Sequence, residues 1–476
     1  MELMIPLDNQ GTTPMYEQIY HYIKEEIRMG SLKAGSRLPS TRVLADHLKV
    51  SRSTTQMAYE QLMSEGYIHP EPCRGYFVAA IEELVEVREQ PAVQFVEPFA
   101  PWEEKDRESV VVDFSPRGID LDSFPFNTWR KISRGILVDD NKALFLNGDP
   151  QGEYALREAI RSYLHSARGV RCGPEQIVVG AGNEYLLMLL ALLLGPGRSV
   201  AMENPTYKQA YRVFISQGYQ VVPINMDQQG MDVGMLREQL QHGDRPSVAY
   251  VMPSHQYPMG IVMPIKRRQE LLAWAYEEED RYLIEDDYDS EFRYKGKPIP
   301  ALQGMDRGDR VIYIGTFSRS IAPAIRIGFL VLPPKLLEAY KKKAGFFAST
   351  VSRIDQNILY QFLTEGHYER HLNRMRSVYK SKHDRLLGEL RAFEGRFKIR
   401  GENAGIHVLL THKEGMGEEE LEQRAAGAGV KVYGLSRYFI HLEHIRYPHT
   451  VLLGYANLTE EKIREGCARL QEAWGC

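Results

Sequence analysis

The chain is 476 residues long, 43% hydrophobic and 26% charged, with a formal net charge of −4. At about 150 residues per domain this length predicts roughly three domains, and the composition is that of soluble globular proteins, which excludes a wholly disordered or membrane-embedded chain. The slight negative charge excludes a generic polyanion binder, so contact with nucleic acid would depend on where the cations are placed.

From Pro14 to Arg28 the apolar residues Met15, Ile19, Ile23 and Ile27 keep a helical spacing, which Gly30 and Gly35 interrupt. A second helix is predicted after the N-cap Ser40, running through Val43, Leu44 and Leu48. Val50 to Thr55 forms a turn and opens a third helix that ends near Gly66; Tyr67-Ile68 and Tyr76-Phe77-Val78 then read as two short paired strands. Residues 1–79 therefore predict a winged helix-turn-helix. Residues 80–110 interleave nine acids, from Glu82 to Glu108, with Pro91, Pro98 and Pro101, the composition of an extended linker.

Beyond residue 111, strands at 176–179, 199–202, 220–223, 247–252, 282–287, 310–313 and 328–332 alternate with helices at 183–194, 206–217 and 266–278. The alternation predicts an α/β domain with a mostly parallel sheet over 111–344, followed over 345–476 by an Arg- and Lys-rich helix and a small α/β domain. Apolar runs such as Leu186 to Leu194 fall short of the roughly 20 residues of a membrane span, and the start Met1-Glu2-Leu3-Met4 is not a leader pattern. Cys73, Cys172, Cys467 and Cys476 are too scattered for a zinc or dithiol motif. Reduced thiols, a cytoplasmic location and no membrane partner are expected.

In a winged helix-turn-helix the third helix enters the major groove while the wing touches the backbone. Ser51, Arg52, Ser53, Thr54 and Thr55 supply hydroxyls and a bidentate guanidinium for base edges, and Ser40, Arg42 and Arg74 suit phosphates. Residues 1–80 hold eight Lys/Arg against nine Asp/Glu, so placement rather than net charge carries this reading. Tyr16-Glu17-Gln18-Ile19-Tyr20, Leu38 to Ala45 and Val50-Ser51-Arg52-Ser53-Thr54 resemble the GntR-type signature. Taken with the phosphate- and pyridine-gripping pattern of residues 180–326, nearly the whole chain resembles a MocR/GabR-type regulator, in which such a head is joined to a class I aminotransferase-like domain of the pyridoxal phosphate (PLP) fold type I.

Gly180-Ala181-Gly182-Asn183 lies between a strand and an apolar helix, so the backbone of Ala181, Gly182 and Asn183 would face a phosphate, although alone the loop is equally a tight turn. Asp286 and Tyr288, two apart at a strand end, share a face. An Asp there can keep a pyridine nitrogen protonated and a Tyr can bond the ring's 3′-oxygen. Thr316 and Ser318 also share a face, and with Arg326 they suit a phosphate dianion. The resemblance further implies that Tyr207 sits at the PLP ring and that Arg437 takes a carboxylate of an amino-compound effector. It likens Pro253-Ser254-His255-Gln256-Tyr257-Pro258-Met259-Gly260 to the family's loop beside the ring, with the role of His255 open.

The departures change the chemistry. Where the family pattern has the lysine that holds PLP covalently, Gly315-Thr316-Phe317-Ser318-Arg319-Ser320 has Arg319. A guanidinium stays protonated above pH ~12 and forms no imine with an aldehyde, so no catalytic residue is assigned and transamination is not expected. Gln209 stands where GABA-responsive relatives are expected to have a second carboxylate-binding Arg, and Asn183-Glu184 replaces the usual Thr-Gln, a milder change. His367 and His371 sit at i, i+4 on a predicted helix without an evident third ligand, so a solvated or interface face is expected and no metal site is assigned. The expected function is a promoter-binding regulator, built as a head-to-tail homodimer, that senses noncovalent PLP, an amino compound or their adduct. The alternatives are a working aminotransferase with an appended head and a cofactor-independent dimeric repressor.

Overall fold

The computed structural model describes residues 3–8, 13–72, 74–80, 110–239, 245–294, 299–402, 405–441 and 448–476. The chain divides into two compact units, Met1–Glu103 and Glu104–Cys476. The predicted linker lies, apart from its end residues, outside the described residues.

In the first unit, α1 (Met15–Arg28), α2 (Thr41–Leu48) and α3 (Arg52–Ser64) precede the antiparallel hairpin β1 (Ile68–Glu71) and β2 (Gly75–Val78). The apolar stripe of α1 is buried as Ile19, Ile23 and Ile27 against Leu44, Ala58, Tyr59 and Leu62. Ser40 and Ser51 cap α2 and α3 by accepting from the Val43 and Thr54 amides, satisfying donors that a helix start leaves unpaired.

The second unit opens with β3 (Val112–Asp113), α4 (Phe126–Ile136) and α5 (Tyr154–Arg168). There follow β4 (Ile177–Gly180), α6 (Asn183–Leu194), β5 (Ser199–Asn204), α7 (Lys208–Ser216), β6 (Gln220–Asp227), β7 (Gly230–Met231) and α8 (Val233–Glu238). Next come β8 (Pro246–Val251), α9 (Ile265–Tyr276), β9 (Tyr282–Asp287), β10 (Val311–Thr316), β11 (Gly328–Val331), α10 (Pro334–Lys343), α11 (Arg353–Thr364) and α12 (His367–Leu390). The chain ends in β12 (Phe397–Arg400), β13 (His407–His412), α13 (Glu418–Gly427), β14 (Val430–Lys431), β15 (Tyr433–Gly434), β16 (Thr450–Gly454) and α14 (Glu460–Trp474).

The large sheet has the order β4-β11-β10-β9-β8-β5-β6-β7. The contacts from β10 through β9, β8 and β5 to β6 are all parallel, whereas β11 runs against both of its neighbours. A strand in such a sheet is covered on both faces, which is why β10 is a nearly continuous apolar run rather than an alternating one and why all six residues of β9, its three acids included, are buried. Helix α6 is apolar from Tyr185 onward and buries Leu186, Leu187, Leu189, Leu190, Leu193 and Leu194, while Met188 and Leu192 are exposed.

One predicted boundary moves. Residues Val112 and Asp113 pair in parallel with Val430 and Lys431, and Val112 and Phe114 join the core of the C-terminal part. The segment assigned to the start of the large domain thus belongs to the small one. Two-residue strands have too few residues to show a period. No helix among the described residues is long and apolar enough to cross a membrane.

Candidate functional site

The carboxyl edge of the large sheet gathers the predicted ligand residues. In register, Thr316 of β10 lies opposite Gly328 of β11, and Gly328 opposite Gly180 of β4. Because β11 runs backwards, the residue two before it, Arg326, enters at the same edge where β9 and β10 end and α6 begins. A cavity of about 250 Å³ there is lined by Asn183, Tyr207, Asp286, Tyr288, Thr316, Ser318 and Arg326 together with Arg319. Seven of the nine predicted cofactor residues line it directly; Ala181 and Gly182 form the adjoining turn. Gly182 has φ +89, and a side chain there would run into the Arg326 guanidinium.

Asp286 is buried and held by Asn183 Nδ2 at 2.9 Å and by the Tyr250 hydroxyl, which donates to Oδ2. Burial raises its carboxyl to about 6, against the lowering pull of those two bonds. Its neighbour Asp287 points to the opposite face, where it pairs with Arg168 at 2.7 Å. Tyr288 lies 2.9 Å from His255 Nδ1, which is also 2.8 Å from Asp289 Oδ2, so the histidine left open by the sequence positions the pocket's phenol. Burial pushes the Tyr288 hydroxyl well above its usual range, keeping it protonated. Three buried polar atoms at the cavity, Asn183 Oδ1, Ser318 Oγ and Arg319 Nη1, have no hydrogen-bond partner among the described residues. Buried polar atoms are nearly always paired, so such a cluster marks a place shaped for a guest.

The Asn183-Glu184 replacement is not mild. The Glu184 carboxylate sits 2.7 Å from Arg326 and 3.3 Å from the Tyr207 hydroxyl, and it is held by its own amide at the N-terminus of α6. Burial works to raise its pKa, but Arg326, that amide and Tyr207 together hold the carboxyl below the usual range. A helix N-terminus favours any anion, and here a side chain competes for the donors a phosphate would use.

Arg437 does not enter the cavity. Its guanidinium pairs with Glu422 at 2.8 Å, and its side chain is 57% exposed. Arg117, Gln209, Met252, Tyr257 and Pro323 line the cavity as well. Of these, sequence reasoning raised only Gln209 and the loop containing Tyr257; nothing local marks Arg117, which comes after the linker in a segment without pattern. The helix face of His367 and His371 is not wholly solvated either, because His371 is buried, with Nε2 2.8 Å from the Ser320 carbonyl.

In the head, Arg42 and Arg52 are exposed, and no carboxylate among the described residues pairs with either. Ser51 is exposed at the tip of α3, its hydroxyl 2.7 Å from those of Ser53 and Thr54. Ser40 is exposed at the α2 cap. Arg74, in the wing, pairs with Glu71 and lies over the Phe77 ring. Thr55 departs from the expected set. It is fully buried, donating to the Thr41 carbonyl at 2.8 Å and lying 3.0 Å from that of Arg52, so it locks α3 to α2 and cannot reach a base.

The chain matches two family descriptions, bacterial regulatory proteins of the gntR family over residues 15–78 and aminotransferase class I and II over residues 120–470. It is 41% identical to the HTH-type transcriptional regulator YhdI of Bacillus subtilis over 100% of this chain and 98% of that protein. It is 33% identical to the probable rhizopine catabolism regulatory protein MocR of Rhizobium meliloti over 99% of this chain and 96% of that protein. Among solved structures, the multiple substrate aminotransferase of Thermococcus profundus superposes with a TM-score of 0.70 at 27% identity, covering 79% of this chain and 95% of that one. Such aminotransferase-like folds bind PLP and are typically dimeric. A winged head that presents free guanidiniums, joined to an aminotransferase fold with its ligand edge intact, places the chain in the MocR/GabR-type family of DNA-binding transcriptional regulators.

Proposed function

We propose that the body of this regulator binds PLP without a covalent bond, alone or as an adduct with an amino compound, and that binding changes how the head engages its promoter. The observation behind this reading is Arg319, which lines the cavity where the family pattern has lysine; no lysine lines that cavity among the described residues. A guanidinium keeps the positive charge but provides no nucleophile. The unpaired Asn183, Ser318 and Arg319 atoms and the buried Asp286 fit the group. Asp286 would meet the pyridine nitrogen, Tyr288 the 3′-oxygen and Tyr207 the ring; Asn183, Thr316, Ser318 and Arg326 would meet the phosphate, whereas the amides of Ala181 and Gly182 already donate to Thr350 Oγ1 and the Gly180 carbonyl. Bound there, PLP supplies a reactive aldehyde and an electron-withdrawing ring. In a head-to-tail homodimer, ligand binding would bias the body between arrangements and alter the spacing of two heads on DNA.

Absorbance titration of the full-length protein with PLP, followed by borohydride and dialysis, tests the reading beside Arg319→Lys. The expected result is saturable binding that dialysis reverses in the wild type, and borohydride-fixed PLP in the variant. Steady turnover of an amino acid with a keto acid, or PLP fixed to the wild type, would overturn it in favour of an enzyme. No PLP binding at all would leave a cofactor-independent repressor.

A further inference from the structure

We infer that Gln56, on the exposed face of α3, reads an adenine of the operator about two base pairs from the guanine that Arg52 takes. This specificity contact lies outside the expected set from Ser51 to Thr55. It rests on α3 entering the major groove and is independent of what the body binds.

The hydroxyls at the start of α3 are engaged with one another. Ser51 Oγ lies 2.7 Å from both Ser53 Oγ and Thr54 Oγ1 and accepts from the Thr54 amide at 3.1 Å, while Thr55 faces the core. A hydroxyl also donates and accepts alike, so even when free it discriminates little between bases. Thr55, Ala58, Tyr59 and Leu62 form the buried face of the helix, which leaves Arg52, Ser53, Gln56, Met57 and Glu60 exposed. Arg52 and Gln56 are four residues apart and lie one above the other on that face. The helix rise separates them by about 6 Å, against roughly 3.4 Å between base pairs.

The carboxamide supplies what a hydroxyl lacks. It sets a carbonyl acceptor beside an N–H donor, the complement of the amino group and N7 of adenine. Guanine shows two acceptors at the same edge and would leave the carbonyl facing one of them. Gln56 Nε2 donates to Glu60 Oε1 at 2.9 Å, one turn further along. A carboxylate accepts and does not donate, so this bond fixes which end of the amide carries the hydrogens and leaves the carbonyl and the second N–H for a base. Holding a flexible side chain in place beforehand also lowers the ordering cost of the contact. Beside it, Met57 is 48% exposed, an apolar side chain on an otherwise polar face. An adenine–thymine pair offers that side chain a methyl group in the same groove.

The test is selection from a randomised double-stranded DNA library by the full-length protein, followed by affinity measurements on the enriched site. The wild type is expected to enrich a motif holding a guanine and, about two base pairs away, an adenine. Gln56→Ala should lose the preference at the adenine alone and bind the wild-type site about 5- to 150-fold more weakly, with affinity for unselected DNA unchanged. Gln56→Arg should move the preference at that position from adenine to guanine, an exchange that a merely structural glutamine would not produce. Glu60→Ala should keep the adenine with a smaller preference. The inference fails if Gln56→Ala enriches the wild-type motif with undiminished affinity, or if Gln56→Arg still selects adenine. A uniform loss of affinity with the motif intact would make Gln56 a backbone contact and overturn it as well. An unaltered motif in Arg52→Ala would take α3 out of the groove, and the inference with it.

Discussion

Glu184→Gln should tighten PLP binding. The carboxylate of Glu184 occupies Arg326 at 2.7 Å and the amide end of α6, and its pKa is held below the usual carboxyl range, so it is ionised at neutral pH. A phosphate arriving at those donors meets a like charge at roughly 4 Å, worth about 4 kcal/mol per unit pair at an effective dielectric of about 20 and about 1 kcal/mol in bulk water. The Arg326 and Glu184 side chains are 50% and 41% exposed, which puts the interaction near the watery limit. Doubling for a phosphate of almost two charges gives about 1–2 kcal/mol, or about 5- to 30-fold in affinity. Fluorescence titration with PLP at low and high salt measures this, and the gain should shrink at high salt because exposed charges are screened. Pyridoxal, which lacks the phosphate, is the control and should bind both proteins alike. An unchanged or weaker PLP affinity in the glutamine protein, or an equal gain with pyridoxal, would refute the argument that Glu184 competes for the phosphate position.

Arg52→Ala is expected to cost about 1–3 kcal/mol in promoter binding and to relax sequence preference, as mobility shifts with altered operators would register; unchanged affinity and preference would remove α3 from the groove. Thr55→Val keeps shape but leaves the Thr41 carbonyl without its donor, so the head should unfold about 1–3 kcal/mol more easily, with unaltered base preference in the fraction that remains folded. Glu203 is fully buried, and burial raises its carboxyl to about 7, so the folded protein holds a proton that the unfolded chain releases near the ordinary carboxylate value. Stability from this group is therefore lost as pH rises from about 4.5 to about 7. Glu203→Gln should raise the melting temperature more at pH ~7.5 than at pH ~5, and an equal gain at both would contradict the assignment.

Much of this was legible because periodicity and composition act locally. Val311 to Ile314 in β10 and the start of β9, Tyr282-Leu283-Ile284, carry their own apolar signal, and two-residue spacing alone puts Asp286 with Tyr288 on one face and Asp287 on the other. The burial of Thr55 is also written in the chain: Thr55, Ala58, Tyr59 and Leu62 follow the i, i+3, i+4, i+7 stripe of a core-facing helix, and that stripe outweighs the hydroxyl's fitness for a base contact. Glu184 carried a signal too, since an acid in the first turn of a helix is drawn to its amide end. Arg117 carried none. It reaches the cavity because Val112 and Asp113 join a sheet completed more than 300 residues later, and no local pattern encodes that closure. Arg437 lies outside the cavity lining for the converse reason, because its partner Glu422 projects from α13, which spacing around Arg437 does not reveal.

The exchange of lysine for Arg319 also bears on what such a pocket can measure. An imine to lysine, though reversible, adds to the other contacts, so a cofactor held that way stays bound at lower free concentration and leaves more slowly. In the proposed reading the remaining contacts, from Asp286, Tyr288, Ser318, Thr316 and Arg326, hold PLP by reversible interactions alone, and occupancy then follows concentration around the dissociation constant. Arg326 is partly committed to Glu184, which in that reading would weaken the grip further and move the responsive range upward. Arginine preserves the positive charge that attracts an anionic ligand while removing the amine that would trap it. Transamination would require that amine, whereas a ligand-dependent equilibrium between body arrangements requires only that the ligand bind them unequally. In the proposed reading, the substitution that removes the amine also sets the concentration range over which the cavity responds.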